Sequence, residues 1–120
     1  MEKTNNKLKK MVFQRSDCPI ACALDVIGDK WTMLVVRDLF RGKKRFSEFM
    51  DVGEGMKSNI LANRLKRLER SGLLVKSPYQ DNPVRYEYQL SASGQDLLPL
   101  MKEIIYWANR NIPGTTTPLD

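Results

Sequence analysis

From Pro19 onward the apolar positions recur at helical spacing. Ile20, Ala23, Leu24 and Ile27 form one stripe, and Gly28 stops it. Proline suits the first helical position, where a missing N–H costs no intrahelical bond. Asp29 then caps a second helix over Lys30 to Arg41, with Trp31, Leu34, Val35 and Leu39 toward the core. Gly42 ends it. Lys43, Lys44 and Arg45 make a basic turn, and Phe46 falls in a short strand. Ser47 caps a third, short helix through Met50, with Glu48 in its first turn. Asp51 to Met56 reads as a turn. Ser58 caps a fourth helix running to about Arg70, which Ser71-Gly72 stops.

The period then changes from helical to alternating. Leu73 to Tyr79 reads as a strand, with Pro78 demanding an edge position. Gln80 to Pro83 is a turn. Val84 to Leu90 forms the second strand, with Tyr86, Tyr88 and Leu90 opposite Arg85, Glu87 and Gln89. Ser91 caps a last helix through about Asn111, and Pro99 in its first turns is tolerable. The fold class is α+β, mainly α. The order is that of a winged helix-turn-helix domain with a two-stranded wing and a C-terminal dimerisation helix. One domain over residues 17–111 is expected, after a basic arm (1–16) and before a disordered tail (112–120). Leu8, Met11 and Val12 in the arm fit either a short helix or a frayed, solvated segment.

The fourth helix divides into two faces. At about 100° per residue, Leu61, Leu65 and Leu68 share one side, with Ile60 on its margin. Asn59, Asn63, Lys66 and Arg70 centre on the other, flanked by Ala62 and Arg67. Ser58 stands at the N-terminus, where free N–H groups can meet a phosphate. Asparagine can pair bidentately with adenine in a major groove, and lysine and arginine can reach guanine edges or phosphates. Asn59 and Asn63 are the expected base readers, since they lie in the half of the helix that enters the groove. A merely solvated helix face is the other reading, and the hairpin that follows argues against it. In the hairpin, Arg85 suits a narrow minor groove or a phosphate, or else pairs across the strand with Glu87. Lys76 suits backbone phosphate.

Charge agrees with a polyanionic partner. The 120 residues carry 20 Lys and Arg against 14 Asp and Glu, a net charge of +6. There is no histidine, which removes Ser-His-Asp and Cys-His nucleophilic systems and most catalytic zinc sites. Two cysteines cannot hold a tetrahedral metal alone, and no phosphate-cradling glycine loop is present. No catalysis, cofactor or metal is therefore expected. The basic start lacks the apolar run of a secretory signal, and no stretch would span a membrane, so a cytoplasmic protein is expected.

The C-terminal helix has more apolar residues than one small core can cover. Leu97, Met101, Ile104 and Ala108 run in heptad-like spacing, and Leu98, Ile105 and Trp107 widen the stripe. Pairing with a second copy is one reading. Packing on its own domain is the other.

Three segments carry a family resemblance: CPIACALDVIGDKWTMLVVRDLFRGKKRFSEF, GMKSNILANRLKRLERSGLL and PVRYEYQLSASGQDLLPL. Cys18-Pro19, Gly28-Asp29-Lys30-Trp31, Asn59-Ile60-Leu61 with Arg64-Leu65, and Arg85-Tyr86-Glu87-Tyr88 are its most specific pieces. Over roughly residues 17–110 the chain resembles the HxlR-type regulators, which are MarR-like winged helices. The resemblance implies a homodimer, joined through its first and last helices, on an inverted-repeat operator in double-stranded DNA. Repression would follow by blocking polymerase. It also implies oxidant or electrophile sensing at the Cys-Pro position, which Cys18 occupies. N–H groups at a helix start favour an anionic sulfur, while Asp17 opposes it. Cys22 departs from the family pattern. It lies one turn later, opposite the stripe of Ile20, Leu24 and Ile27, so both thiols share a face expected to meet the other subunit. Two small half-buried residues in a reducing compartment are the plainer reading. Two other classes compete with a DNA reader. A protein-docking winged helix would not need cations on both helix and hairpin. A thiol enzyme would need a base that the sequence does not supply.

Overall fold

A computed structural model describes residues 16–50 and 54–116. The expected arm, save Ser16, and the last four residues of the tail lie outside the described residues. Helix α1 spans Pro19–Ile27, α2 Thr32–Phe40, α3 Phe46–Met50 and α4 Ser58–Arg70. Strands β1 (Leu74–Gln80) and β2 (Arg85–Leu90) follow, then α5 (Ala92–Gln95) and α6 (Leu98–Asn111). The strands pair antiparallel as a two-stranded wing, with Leu74 opposite Leu90 and Gln80 opposite Arg85, and a bulge between Pro78 and Gln80.

Local chemistry explains most boundaries. Cys18 is the extended N-cap of α1 and Pro19 opens it. Helix α2 starts at Thr32 rather than at Lys30, and Trp31 rather than Asp29 takes its cap position. The Asp29 carboxylate instead accepts from the backbone N–H groups of Trp31 (3.0 Å) and Thr32 (3.2 Å) and so fixes the turn that leads into the helix. Helix α4 ends in a Schellman turn. The N–H of Leu73 reaches Leu68 O at 2.9 Å and that of Gly72 reaches Glu69 O at 3.0 Å. Gly72 adopts the positive φ (77°) that this turn requires.

Several expectations need correction. Ser58 is the first residue of α4 rather than its cap; Lys57 takes the cap position, with no side-chain bond. Phe46 opens α3 instead of sitting in a strand, and the bridge to the wing is made by Arg45 against Glu87. Ser47 does not cap α3. The Glu48 carboxylate does so by reaching back to the N–H groups of Lys44 (2.7 Å) and Arg45 (2.9 Å). The single last helix is in fact two. Ser91 accepts from Gly94 N and starts α5, the chain turns at Asp96 and Leu97, and Pro99 helps to open α6. Gly94 permits this corner: a Cβ there would stand 2.1 Å from Leu73 O.

The core lies between α2, α4, the base of the wing and α6. Val35, Val36, Leu39, Phe49, Met56, Leu61, Leu65, Leu68, Leu73, Leu74, Leu90, Met101 and Ile105 are buried together. Trp31 and Leu34, expected inside, pack only part-buried against it. Phe49 meets Tyr88 edge-on, ring centroids 6.4 Å apart, and so ties α3 to the wing. Ser91 Oγ donates to Gly72 O at 2.6 Å, which joins the start of the wing to its end. Helix α1 contributes no buried residue. Its apolar stripe faces outward, with Ile20 69% and Leu24 55% exposed.

Candidate nucleic-acid interface

Helix α4 presents its leucines inward and its polar residues outward because 3.6 residues per turn puts them on opposite sides. Leu61, Leu65 and Leu68 are buried, while Ser58, Asn59, Ala62, Asn63, Lys66 and Arg70 are exposed. These six expected contacts therefore share one open surface. Arg67 lies at its margin, half-buried, with Nη1 3.9 Å from Asp29 Oδ1.

Asp29 is the residue whose larger role the sequence reading missed. Beyond fixing the turn into α2, it accepts from Arg64 Nε at 2.7 Å and from the Thr32 hydroxyl. Burial alone would push its carboxyl up. The bonds from Thr32, Arg64 and the Trp31 N–H outweigh that and hold it at about 2. Arg64 in turn donates from Nη1 to Asn63 Oδ1 at 2.6 Å. The amide expected to face a base freely thus has its oxygen engaged by a neighbour.

A second anchor was also hidden. Arg37 on α2 is buried. Its Nε bonds Asp38 Oδ1 (3.0 Å), and its fork meets both Glu54 oxygens at 2.9 and 3.0 Å. Glu54 leads into α4, so this bidentate pair ties the start of the reading helix to the core. The Arg37 bond holds the Glu54 carboxyl below the usual carboxylate range. A turn-like run with two glycines gave no sign of a buried partner for Glu54.

On the wing, Arg85 is exposed near the tip. Glu87 is taken by Arg45, whose Nε lies 3.0 Å from Glu87 Oε2 and whose guanidinium stacks 3.7 Å over the Tyr79 ring. Lys76 is less free than expected: its Nζ is 3.7 Å from Glu69 Oε1 and 4.4 Å over the Tyr86 ring. The wing therefore docks on α4 and on the α2–α3 turn, and presents Arg85 at its end.

A leucine-backed polar helix followed at once by a braced two-stranded wing is a winged helix-turn-helix. The model of the HxlR-like helix-turn-helix family matches residues 26–116. The chain belongs to that family. It is a family of helix-turn-helix transcriptional regulators rather than of enzymes. The HxlR-like chain is 32% identical to the helix-turn-helix-type regulator YybR of Bacillus subtilis, over 86% of this chain and 83% of that one. It is 36% identical to the regulator sll1512 of Synechocystis over 70% of this chain, and the match spans 62% of that relative's length. Among solved structures, PA1607 superposes with a TM-score of 0.75 at 40% identity, covering 86% of this chain and 72% of that one. The redox regulator HypR in its reduced form superposes at 0.73 and 31% identity, covering 80% and 95%.

The expected pairing residues of this HxlR-like chain fall on two sides of α6. Met101 and Ile105 are 4% and 8% exposed and belong to the protomer's own core, with Leu97 packed beside it. Ala108 is half-buried. Ile104 is 48% and Trp107 56% exposed, joined on the outside by Leu100, Tyr106 and Ile112. The two thiols of α1 differ in exposure: Cys22 is half-buried, with Sγ 3.6 Å from Ser16 O, while Cys18 is exposed, as are Ile20 and Leu24 of the apolar stripe. Among the described residues no cluster of acidic and sulfur ligands could hold a metal, and no helix is long and apolar enough to cross a membrane.

Proposed function

We propose that this protein is a sequence-specific regulator that binds an inverted-repeat operator in double-stranded DNA as a homodimer and represses by excluding polymerase. The observation that carries the reading is the open face of α4. Two amides, a small residue and two cations lie there side by side, on a helix whose other face is locked in the core. Asn59 and Asn63 contact bases, Lys66 and Arg70 contact phosphate or guanine, and Arg85 reaches the adjoining minor groove. Lys76 and Arg67, held by Glu69 and Asp29, brace the site rather than reach the duplex. The outward apolar residues of α1 and α6 support the dimer, because Ile20, Leu24, Ile104 and Trp107 stand uncovered in one protomer. Two such protomers would set their reading helices about 34 Å apart, one turn of DNA. Gel shift on DNA upstream of the protein's own gene tests the reading. Affinity should fall linearly on logarithmic axes as salt rises, and a flat response would favour a protein-docking module.

Exposure of Cys18 supports a second element, redox control. It is the outward thiol of the two, and HypR is a redox regulator. With diamide, two Cys18 thiols would form one intersubunit disulfide, and their two electrons and two protons would reduce the azo group to a hydrazine. Operator affinity should then change in the wild type and not in Cys18→Ser. An unchanged wild type leaves a DNA-binding regulator with no redox sensing.

A further inference from the structure

We propose that Arg64 is a specificity-positioning residue: it engages the acceptor of Asn63, so that Asn63 reads bases as a hydrogen-bond donor. The inference rests on the DNA-reading face proposed above and concerns how one side chain on it chooses a base.

The geometry is a relay from the core to the surface. Asp29 sits in the α1–α2 turn, fixed by the N–H groups of Trp31 and Thr32. It holds Arg64 Nε at 2.7 Å, and the Arg64 side chain is only 19% exposed. With Nε pinned, the planar guanidinium sets the place of Nη1, which lies 2.6 Å from the Asn63 side chain. A guanidinium only donates, so the end of the amide that faces it must be the oxygen. That settles the amide's orientation without reference to a ligand.

The consequence is chemical. Bidentate pairing with adenine uses one amide acceptor and one amide donor, against N6–H and N7. Here the acceptor already serves Arg64. A base N–H that approaches the remaining lone pair of Oδ1 meets the positive field of the guanidinium. A base acceptor that approaches Nδ2 is favoured by the same field. Guanine offers O6 and N7 in the major groove and thymine offers O4, whereas cytosine offers the N4 donor and adenine a mixed edge. Asn63 should therefore favour guanine or thymine.

The test is operator selection from a random duplex library with the full chain, followed by binding to the four base pairs at the position that Asn63→Ala makes indifferent. Wild type should prefer guanine or thymine there by about fivefold or more over adenine and cytosine. Arg64→Lys keeps a cation for Asp29 but has no fork to reach the amide as well. In that variant the preference should move toward adenine, with the salt slope on random DNA unchanged. A wild-type preference for adenine, or a ranking that Arg64→Lys leaves as it was, overturns the proposal. Should Arg64→Lys fail to fold, the wild-type ranking alone decides between the two. If Asn63→Ala leaves every position as selective as before, Asn63 reads no base and this inference fails while the groove reading stands. If the wild type binds no duplex at all, the groove reading itself fails.

Discussion

Helices α4 and α6 dispose their large apolar residues to opposite effect. In α4 all three leucines are buried, Ile60 packs half-buried beside them, and the exposed face is polar but for Ala62, so the protomer covers its large apolar residues. In α6 only Met101 and Ile105 are buried, while Leu100, Ile104, Tyr106 and Trp107 stay in the open. Helix α1 is more extreme, with no residue buried and Ile20, Ala23 and Leu24 of its stripe exposed. Apolar character alone therefore does not say which core a residue joins. The core of one protomer is filled by α2, α4, the wing base and one side of α6. What remains on α1 and α6 awaits another surface, which is why we assign it to a second copy.

Mutations on each helix test that contrast. Leu65→Ala should have the largest effect, about 2–5 kcal/mol in chemical denaturation, since it opens a cavity where no exposed group can collapse. Trp107→Asp should leave the protomer's helicity intact and raise the dimer dissociation constant by about a hundredfold, as loss of an interface anchor does, read by sedimentation. If Trp107→Asp unfolds the chain as Leu65→Ala does, the two faces of α6 are not separate and the contrast fails. Asp29→Asn should cost about 1–2 kcal/mol, because four donors then meet a neutral partner.

The same site predicts a pH response. Asp29 falls from an ordinary 3.8 to about 2 on folding, so the folded state holds fewer protons. Its contribution is complete above the unfolded value and is lost as pH drops from about 4 toward 2. The acid limb of a stability curve should therefore flatten in Asp29→Asn, and carboxyl NMR should show Asp29 titrating at about 2, well below its ordinary 3.8. The smallest effect is expected from Arg70→Ala. It should weaken specific and random DNA alike and reduce the salt slope by about 1, with folding unchanged.

Much was legible in the chain itself. The two faces of α4, the antiparallel wing and the positions of Pro19, Gly72 and Ser91 follow from local rules, since period, turn chemistry and capping act over a few residues. The order of those elements was enough to give the winged-helix architecture. The roles of Asp29, Arg37 and Arg64 were not legible. Each depends on a partner between 17 and 35 residues away, Glu54 for Arg37 and Asp29 for Arg64. Nor could periodicity decide which side of α6 faces inward, or that Cys22 is partly covered while Cys18 is exposed.

What the sequence alone determined was therefore the set of elements, their polarity and the chemistry available on each. Only the tertiary structure decided which charges are spent on one another and which remain for a partner. Salt bridges and burial are pairwise facts of three-dimensional proximity, and no one-dimensional pattern encodes them. That is why Lys66 and Arg70 stand exposed, while Arg64 on the same helix is bound to Asp29 and Arg67 lies 3.9 Å from it.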